Sequence, residues 1–190
     1  YGYSRETTPL LNKIKNELTV FNKVVSSRPT TIESLEQVLT FADQEHPELA
    51  LTKPSLMNMM KQAGYKTYWI TNQQTLTKRN TMLTTFSQQM DVQKYMNNTR
   101  VQNSREYDEN VFEPFKQALQ DPVKKKFIVL HLLGTHMKYD YRYPESFEKF
   151  KGSEGLKYSF DKSQLFFVNS YDNAVLYNDF VVSELIKITK

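Results

Sequence analysis

The sequence predicts an α/β fold with a mostly parallel sheet layered by helices. Three features point there. Helical and extended patterns follow one another at the spacing of βαβ units. The run from Phe127 to Leu133 in KKFIVLHLLGTH is nearly all apolar, as a strand covered on both faces should be. No internal repeat, low-complexity tract or linker interrupts the 190 residues, so a single domain over 1–190 is expected.

Along the chain, Pro9, Leu10, Leu11, Ile14 and Leu18 have helical spacing, with Thr7 or Thr8 placed to cap and Pro9 in the first turn. TVFNKVV alternates apolar and polar and predicts a strand over Thr19 to Val25. Ile32, Leu35, Val38, Leu39 and Ala42 mark the next helical face. In KPSLMNMMKQAGYKTYWITNQ, Ser55 caps a helix, Gly64 ends it, and Tyr68-Trp69-Ile70 enters the sheet. A second helix over Tyr107 to Leu119 is broken by Asp121-Pro122 before the apolar strand. Met137 to Phe160 reads as loop with a short helix near Pro144, and a long amphipathic helix runs from Ser163 onward. On that helix Asp172 and Asp179 read as solvated surface charges.

Lys and Arg number 25 against 21 Asp and Glu, a mild and scattered excess that suits an anionic substrate or membrane surface. KYDYRYPESFEKF interleaves acids with its aromatic and basic residues and reads as a packed loop, so no nucleic-acid partner is expected. The absence of cysteine excludes disulfides and thiolate metal sites. No apolar run reaches the length of a membrane span, and no signal peptide is present. The abrupt ends read as cuts through a larger protein.

Ligands of parallel sheets bind beyond the carboxyl ends of the strands, which singles out Asn72-Gln73-Gln74 and Gly134-Thr135-His136. His131 reads as a core histidine and His46 as a surface one. Pro29-Thr30-Thr31-Ile32-Glu33 fits a capping box with Thr30 as cap, worth about 1 kcal/mol. A hydroxyl at a helix N-terminus also feels free amides and the positive dipole end, which favour an alkoxide and a phosphate. Local pattern leaves both roles open. No HxxxH, HExxH or Asp-His pair occurs, and there is no Walker loop, G-x-S-x-G elbow or dinucleotide fingerprint.

YGYSRETTPLL, SSRPTTIESLEQVLTFAD, LTKPSLMNMMKQAGYKT, WITNQQT, GTHMKYDYRYPESFEKF and NSYDNAVLYNDFVVSELI together resemble the periplasmic catalytic domain of bacterial phosphoethanolamine transferases. These are inner-membrane enzymes of the alkaline phosphatase/sulfatase superfamily that modify lipopolysaccharide. The likeness covers nearly the whole chain and leans to the core-modifying, CptA-like type.

The resemblance implies a zinc-dependent transfer of phosphoethanolamine from phosphatidylethanolamine, through a phospho-threonine, to a lipopolysaccharide sugar such as core heptose. It places the nucleophile on Thr31, which is also a zinc ligand, and leaves Thr30 as the cap. His136 matches the histidine that contacts the transferred phosphate, and Asn72 and Lys78 fall where the family contacts the head group. It also implies an N-terminal membrane region outside this chain and a periplasmic location. The family's other zinc ligands, a Gly-Glu-Ser/Thr motif and an Asp-His-Gly motif, have no match here. The 190 residues alone are therefore expected to hold zinc poorly and to be inactive. The lack of cysteine and Met137 after His136 depart from lipid A-modifying members. A sulfatase or phosphoglycerol transferase of the same superfamily, or a non-catalytic binding domain, are the alternatives.

Overall fold

The computed structural model describes residues 3–73, 81–99 and 104–190. In chain order these form α1 (Pro9–Lys13), α2 (Thr31–Leu39), α3 (Leu49–Thr52), α4 (Leu56–Gln62), β1 (Lys66–Thr71), α5 (Thr81–Gln88), β2 (Val92–Tyr95), α6 (Phe112–Gln120), β3 (Lys126–His131) and α7 (Lys162–Ile188), with short 3-10 turns between. They gather into two compact units. One holds Tyr1–Val20, Val101–Phe112 and Leu132–Lys190, and the other holds Phe21–Arg100 and Glu113–His131.

The second unit carries the predicted parallel sheet, in the order β2-β1-β3. Tyr68 stands opposite Val92 on one side and Ile128 on the other. The central strand is aromatic and β-branched, and every residue after Lys66 is buried. Trp69 packs with Leu39, Met57, Phe86 and Met90, and Ile32, Leu35, Phe127 and Val129 close over this core. Each such side chain contributes about 1.5–3 kcal/mol when fully withdrawn from water. Asp91 locks the start of β1, accepting from the Thr67 amide at 2.9 Å and hydroxyl at 2.8 Å, and pairing with Lys61 at 2.8 Å. Ser55 caps α4 by accepting from the Asn58 amide at 3.2 Å, and Gly64, at φ +80°, ends it, both as expected.

Two expectations fail in this part of the chain. β3 is half-buried along all six residues, not covered on both faces. It is an outer strand of the sheet, with one ladder side unpaired among the described residues. Thr19 to Val25 forms no strand, and Val20, Phe21, Val24 and Val25 are exposed. Alternation makes a strand only where a neighbour supplies the hydrogen-bonding ladder, and no described strand pairs with this segment.

The first unit is organised along α7. Asp161 begins it with a capping box, its carboxylate accepting from the Gln164 amide at 2.9 Å while Gln164 Oε1 accepts from the Asp161 amide at 3.1 Å. Asp172 and Asp179 are not solvated charges, because both are almost wholly buried and paired. Asp179 accepts from the amides of Leu10 and Leu11 at 2.8 and 2.9 Å. It thereby caps α1, where the Thr8 side chain makes no cap bond. Asp172 pairs with Arg5 at 2.8 Å and accepts from the Tyr3 phenol at 2.7 Å. Burial, then that bond to Asp172, pushes the Tyr3 hydroxyl up to about 12. Arg5 also donates to Asn169 Oδ1 at 2.7 Å and to the carbonyls of Gly152 and Glu154 at 2.6 and 2.9 Å. Its guanidinium lies 5.0 Å from the centre of the Phe150 ring.

Arg5→Ala removes the cation paired with the buried Asp172 carboxylate and leaves that carboxylate the Tyr3 phenol. Breaking such a pair costs about 3–5 kcal/mol, so the urea midpoint of the variant should drop sharply. An unchanged midpoint would show that the pair contributes nothing net.

Candidate active site

Thr31 is the first residue of α2. Packing of Ile32, Leu35 and Leu39 into the Trp69 core fixes this helix and hence the placement of its N-terminus. Thr30 has the extended backbone of a cap residue, φ −110° and ψ 148°, but the predicted capping box does not form. Its hydroxyl donates to Glu33 Oε2 at 2.9 Å and accepts no amide. A hydroxyl can donate and accept at once, but no first-turn amide bonds the Thr30 oxygen, so those amides are left without a side-chain cap. Ser26 and Ser34 both donate to the Arg28 carbonyl, at 2.7 and 2.9 Å, and pin the loop. Thr31 is exposed, and its hydroxyl makes no hydrogen bond among the described residues.

Asn72 follows β1 and is fully buried. Its amide donates to the His131 carbonyl at 2.9 Å, while the Thr71 carbonyl accepts from the Met96 amide at 2.8 Å. The carboxyl ends of all three strands are thus tied together in the unit that carries Thr31. Gln74 and Lys78 lie outside the described residues. His131, read from the sequence as a core residue, is half-buried at the end of β3. Its ring meets Trp69 edge-on at 6.0 Å, and Nδ1 lies 3.4 Å from the Thr71 hydroxyl. Burial holds its pKa down to about 4, against an ordinary 6.5.

His136 belongs to the other unit, half-buried on a tight loop. The Asp108 carboxylate fixes this loop, accepting from the amides of Leu133 at 2.8 Å and Gly134 at 2.7 Å. Gly134 takes φ +54°, and the His136 amide closes the turn onto the Leu133 carbonyl at 3.1 Å. Arg142, also buried, has its pKa lowered, because burial outweighs the opposing charges of Asp108 and Asp140. Sequence reading missed Asp108 and Arg142. In YDENVF the acid reads as a helix-start charge, and nothing local shows that it reaches a loop 25 residues away.

The described residues contain no group of three or more His, Cys, Asp or Glu side chains able to hold a metal. A zinc site needs three or four such ligands. A lone hydroxyl at Thr31 does not meet that need, and the described residues do not make a zinc site by themselves.

Parallel strands with crossover helices, an exposed hydroxyl at a helix start and a pinned histidine loop are features shared with known proteins. A model of the sulfatase family matches residues 1–189, and the chain belongs to that family. Within it, the chain is 61% identical over 191 residues to phosphoethanolamine transferase EptC of Escherichia coli O18:K1:H7 strain RS218, covering 98% of this chain and 33% of that protein. It is 62% identical over 180 residues to phosphoethanolamine transferase CptA of Salmonella typhimurium, covering 93% of this chain and 31% of that protein. The crystal structure of the C-terminal periplasmic domain of EptC from Escherichia coli, in complex with Zn, superposes with a TM-score of 0.94 at 60% identity. That match takes in 100% of this chain and 54% of the other. The chain thus spans about a third of the length of the curated relatives it matches. No described helix is long and apolar enough to cross a membrane.

With His131 near 4 when folded and near 6.5 when unfolded, the unfolded chain binds the extra proton between those values. Stability should therefore fall as the pH drops from 6.5 towards 4, with a slope approaching about 1.4 kcal/mol per pH unit from this group. Urea titrations at several pH values should show that slope reduced in His131→Gln. An identical slope would exclude His131 as its source.

Proposed function

We propose that the protein containing this chain is a phosphoethanolamine transferase. It moves phosphoethanolamine from phosphatidylethanolamine to a lipopolysaccharide sugar, with core heptose the favoured acceptor, at the periplasmic side of the inner membrane. The observation that carries this reading is the 61–62% identity to EptC and CptA over almost the entire chain. An aromatic groove of about 800 Å³, lined by Tyr3, Tyr139, Tyr158, Phe160, Phe167 and Tyr171, supports a donor with acyl chains.

Thr31 is the nucleophile in this reading. Its oxygen attacks the donor phosphorus, the bond to the glycerol oxygen breaks, and diacylglycerol departs with the proton that Thr31 loses. An acceptor hydroxyl then attacks the phospho-threonine, and Thr31 Oγ leaves and regains a proton. The uncapped amides and dipole of α2 favour the negative charge that develops beside Thr31. His136 contacts the transferred phosphate, and Asn72 and Lys78 contact the head group. Zinc is a cofactor of the whole protein, with Thr31 as this chain's ligand and the others outside the described residues. The 190-residue chain alone holds zinc poorly and has no transferase activity.

In the full-length protein, Thr31→Ala should reduce diacylglycerol release from fluorescent phosphatidylethanolamine by about a thousandfold or more, as loss of a nucleophile does, and Thr31→Ser should keep part of it. Release that survives in Thr31→Ala would discard the nucleophile, and release of sulfate or phosphoglycerol from the corresponding substrates would discard the donor. Calorimetry should find zinc bound at least about a hundredfold more weakly by the 190-residue chain than by the full-length protein. Equal affinities would overturn the partition of ligands.

A further inference from the structure

A second cavity, of about 320 Å³, lies in the α7 unit between the first half of that helix and the segment from Tyr143 to Lys151. That volume suits one sugar ring. Its deep walls carry polar groups with unused bonding capacity. Ser170 is 4% exposed, and its hydroxyl makes no hydrogen bond among the described residues. Asn169, 6% exposed, commits Oδ1 to Arg5, which can only donate, so its amide Nδ2 is left as a donor. The Tyr143 oxygen is approached by Asn173 Nδ2 at 3.5 Å, and its own O–H remains to be donated. Asn173 is spent on the backbone of Phe150, bonding its amide at 2.8 Å and its carbonyl at 3.0 Å, which holds that wall in place.

The rest of the lining is apolar or charged. Phe150, Leu165 and Phe166 give flat hydrocarbon faces, and Phe166 is 59% exposed. At the rim Lys151 pairs with Glu148 at 3.0 Å, whereas Lys162 is exposed and has no ion pair among the described residues. The three charges leave one net positive charge. Buried hydroxyl and amide groups that both donate and accept match ring hydroxyls, an aromatic face matches the C–H face of a pyranose, and Lys162 matches one anionic substituent.

We propose that this cavity binds an anionic monosaccharide unit, phosphorylated or carboxylated, and serves as a subsite for the saccharide acceptor. Its role as an acceptor subsite rests on the transferase reading above; its affinity for an anionic sugar does not.

The test uses the full-length protein. Ligand-observed NMR titrations with mannose 6-phosphate, glucuronate, uncharged mannose and inorganic phosphate should give binding of one or both anionic sugars. Mannose and phosphate should bind at least about tenfold more weakly, as the loss of a charge-assisted or a multiple hydrogen bond requires. Lys162→Glu and Phe166→Ala, both at exposed positions, should each weaken that binding about tenfold. In the transfer assay they should raise the KM for a lipopolysaccharide acceptor by a similar factor, while diacylglycerol release without acceptor stays at the wild-type rate. Binding equal for mannose and mannose 6-phosphate, or unaltered in both variants, would overturn the proposal. A wild-type protein that releases no diacylglycerol would instead remove the transferase reading, and the sugar titrations would still decide the cavity.

Discussion

A parallel strand cannot receive its neighbours through hairpins, and the sheet unit is built around that constraint. β1 must be flanked by β2 and β3 arriving from crossovers, so it is buried on both faces and both edges. The Trp69 core, the anchoring of α2 and the tied strand ends all depend on that central position. Asp91 bonds both the amide and the hydroxyl of Thr67, which sets the strand's starting point. Its pKa is lowered, chiefly by the hydrogen bond from Lys61.

The α7 unit solves a different problem by one repeated device. Aspartates buried on or beside the helix take the amides or cations that other segments leave unmatched. Asp179 receives the open start of α1, Asp172 receives Arg5, and Asp108 receives the loop that carries His136. A carboxylate accepting two backbone amides is held by charge-assisted bonds, stronger than neutral ones. Asp172 and Asp179 therefore tie the N-terminal strap to the long helix from positions that in sequence suggest only a wet surface, and Asp108 holds the histidine loop.

Elements whose signal is local were legible in the sequence. Ser55 and Gly64 delimit α4, and the aromatic run Tyr68-Trp69-Ile70 marks the central strand, because caps, positive φ and strand propensity act within a few residues. The alternation at Thr19 to Val25 misled, since a ladder partner is a long-range condition that alternation cannot report. The two buried aspartates of α7 misled for the same reason, their partners lying 160 to 170 residues away. Of the candidate site, Thr31 was placed at a helix start by pattern, but the choice between Thr30 and Thr31 came from family resemblance. The structure adds a physical distinction, one hydroxyl bonded to Glu33 and the other without a hydrogen bond among the described residues.

The open start of α2 also bears on how this protein can change. An aspartate in place of Thr30 would be a better cap than a threonine whose proton is turned towards Glu33, and on helix energetics alone it would be favoured. It would also set a fixed negative charge beside the first-turn amides of α2, which in the proposed reaction face the incoming phosphate. If α2 captures an anion as proposed, a sturdier helix and a free anion site make opposite demands on this single position.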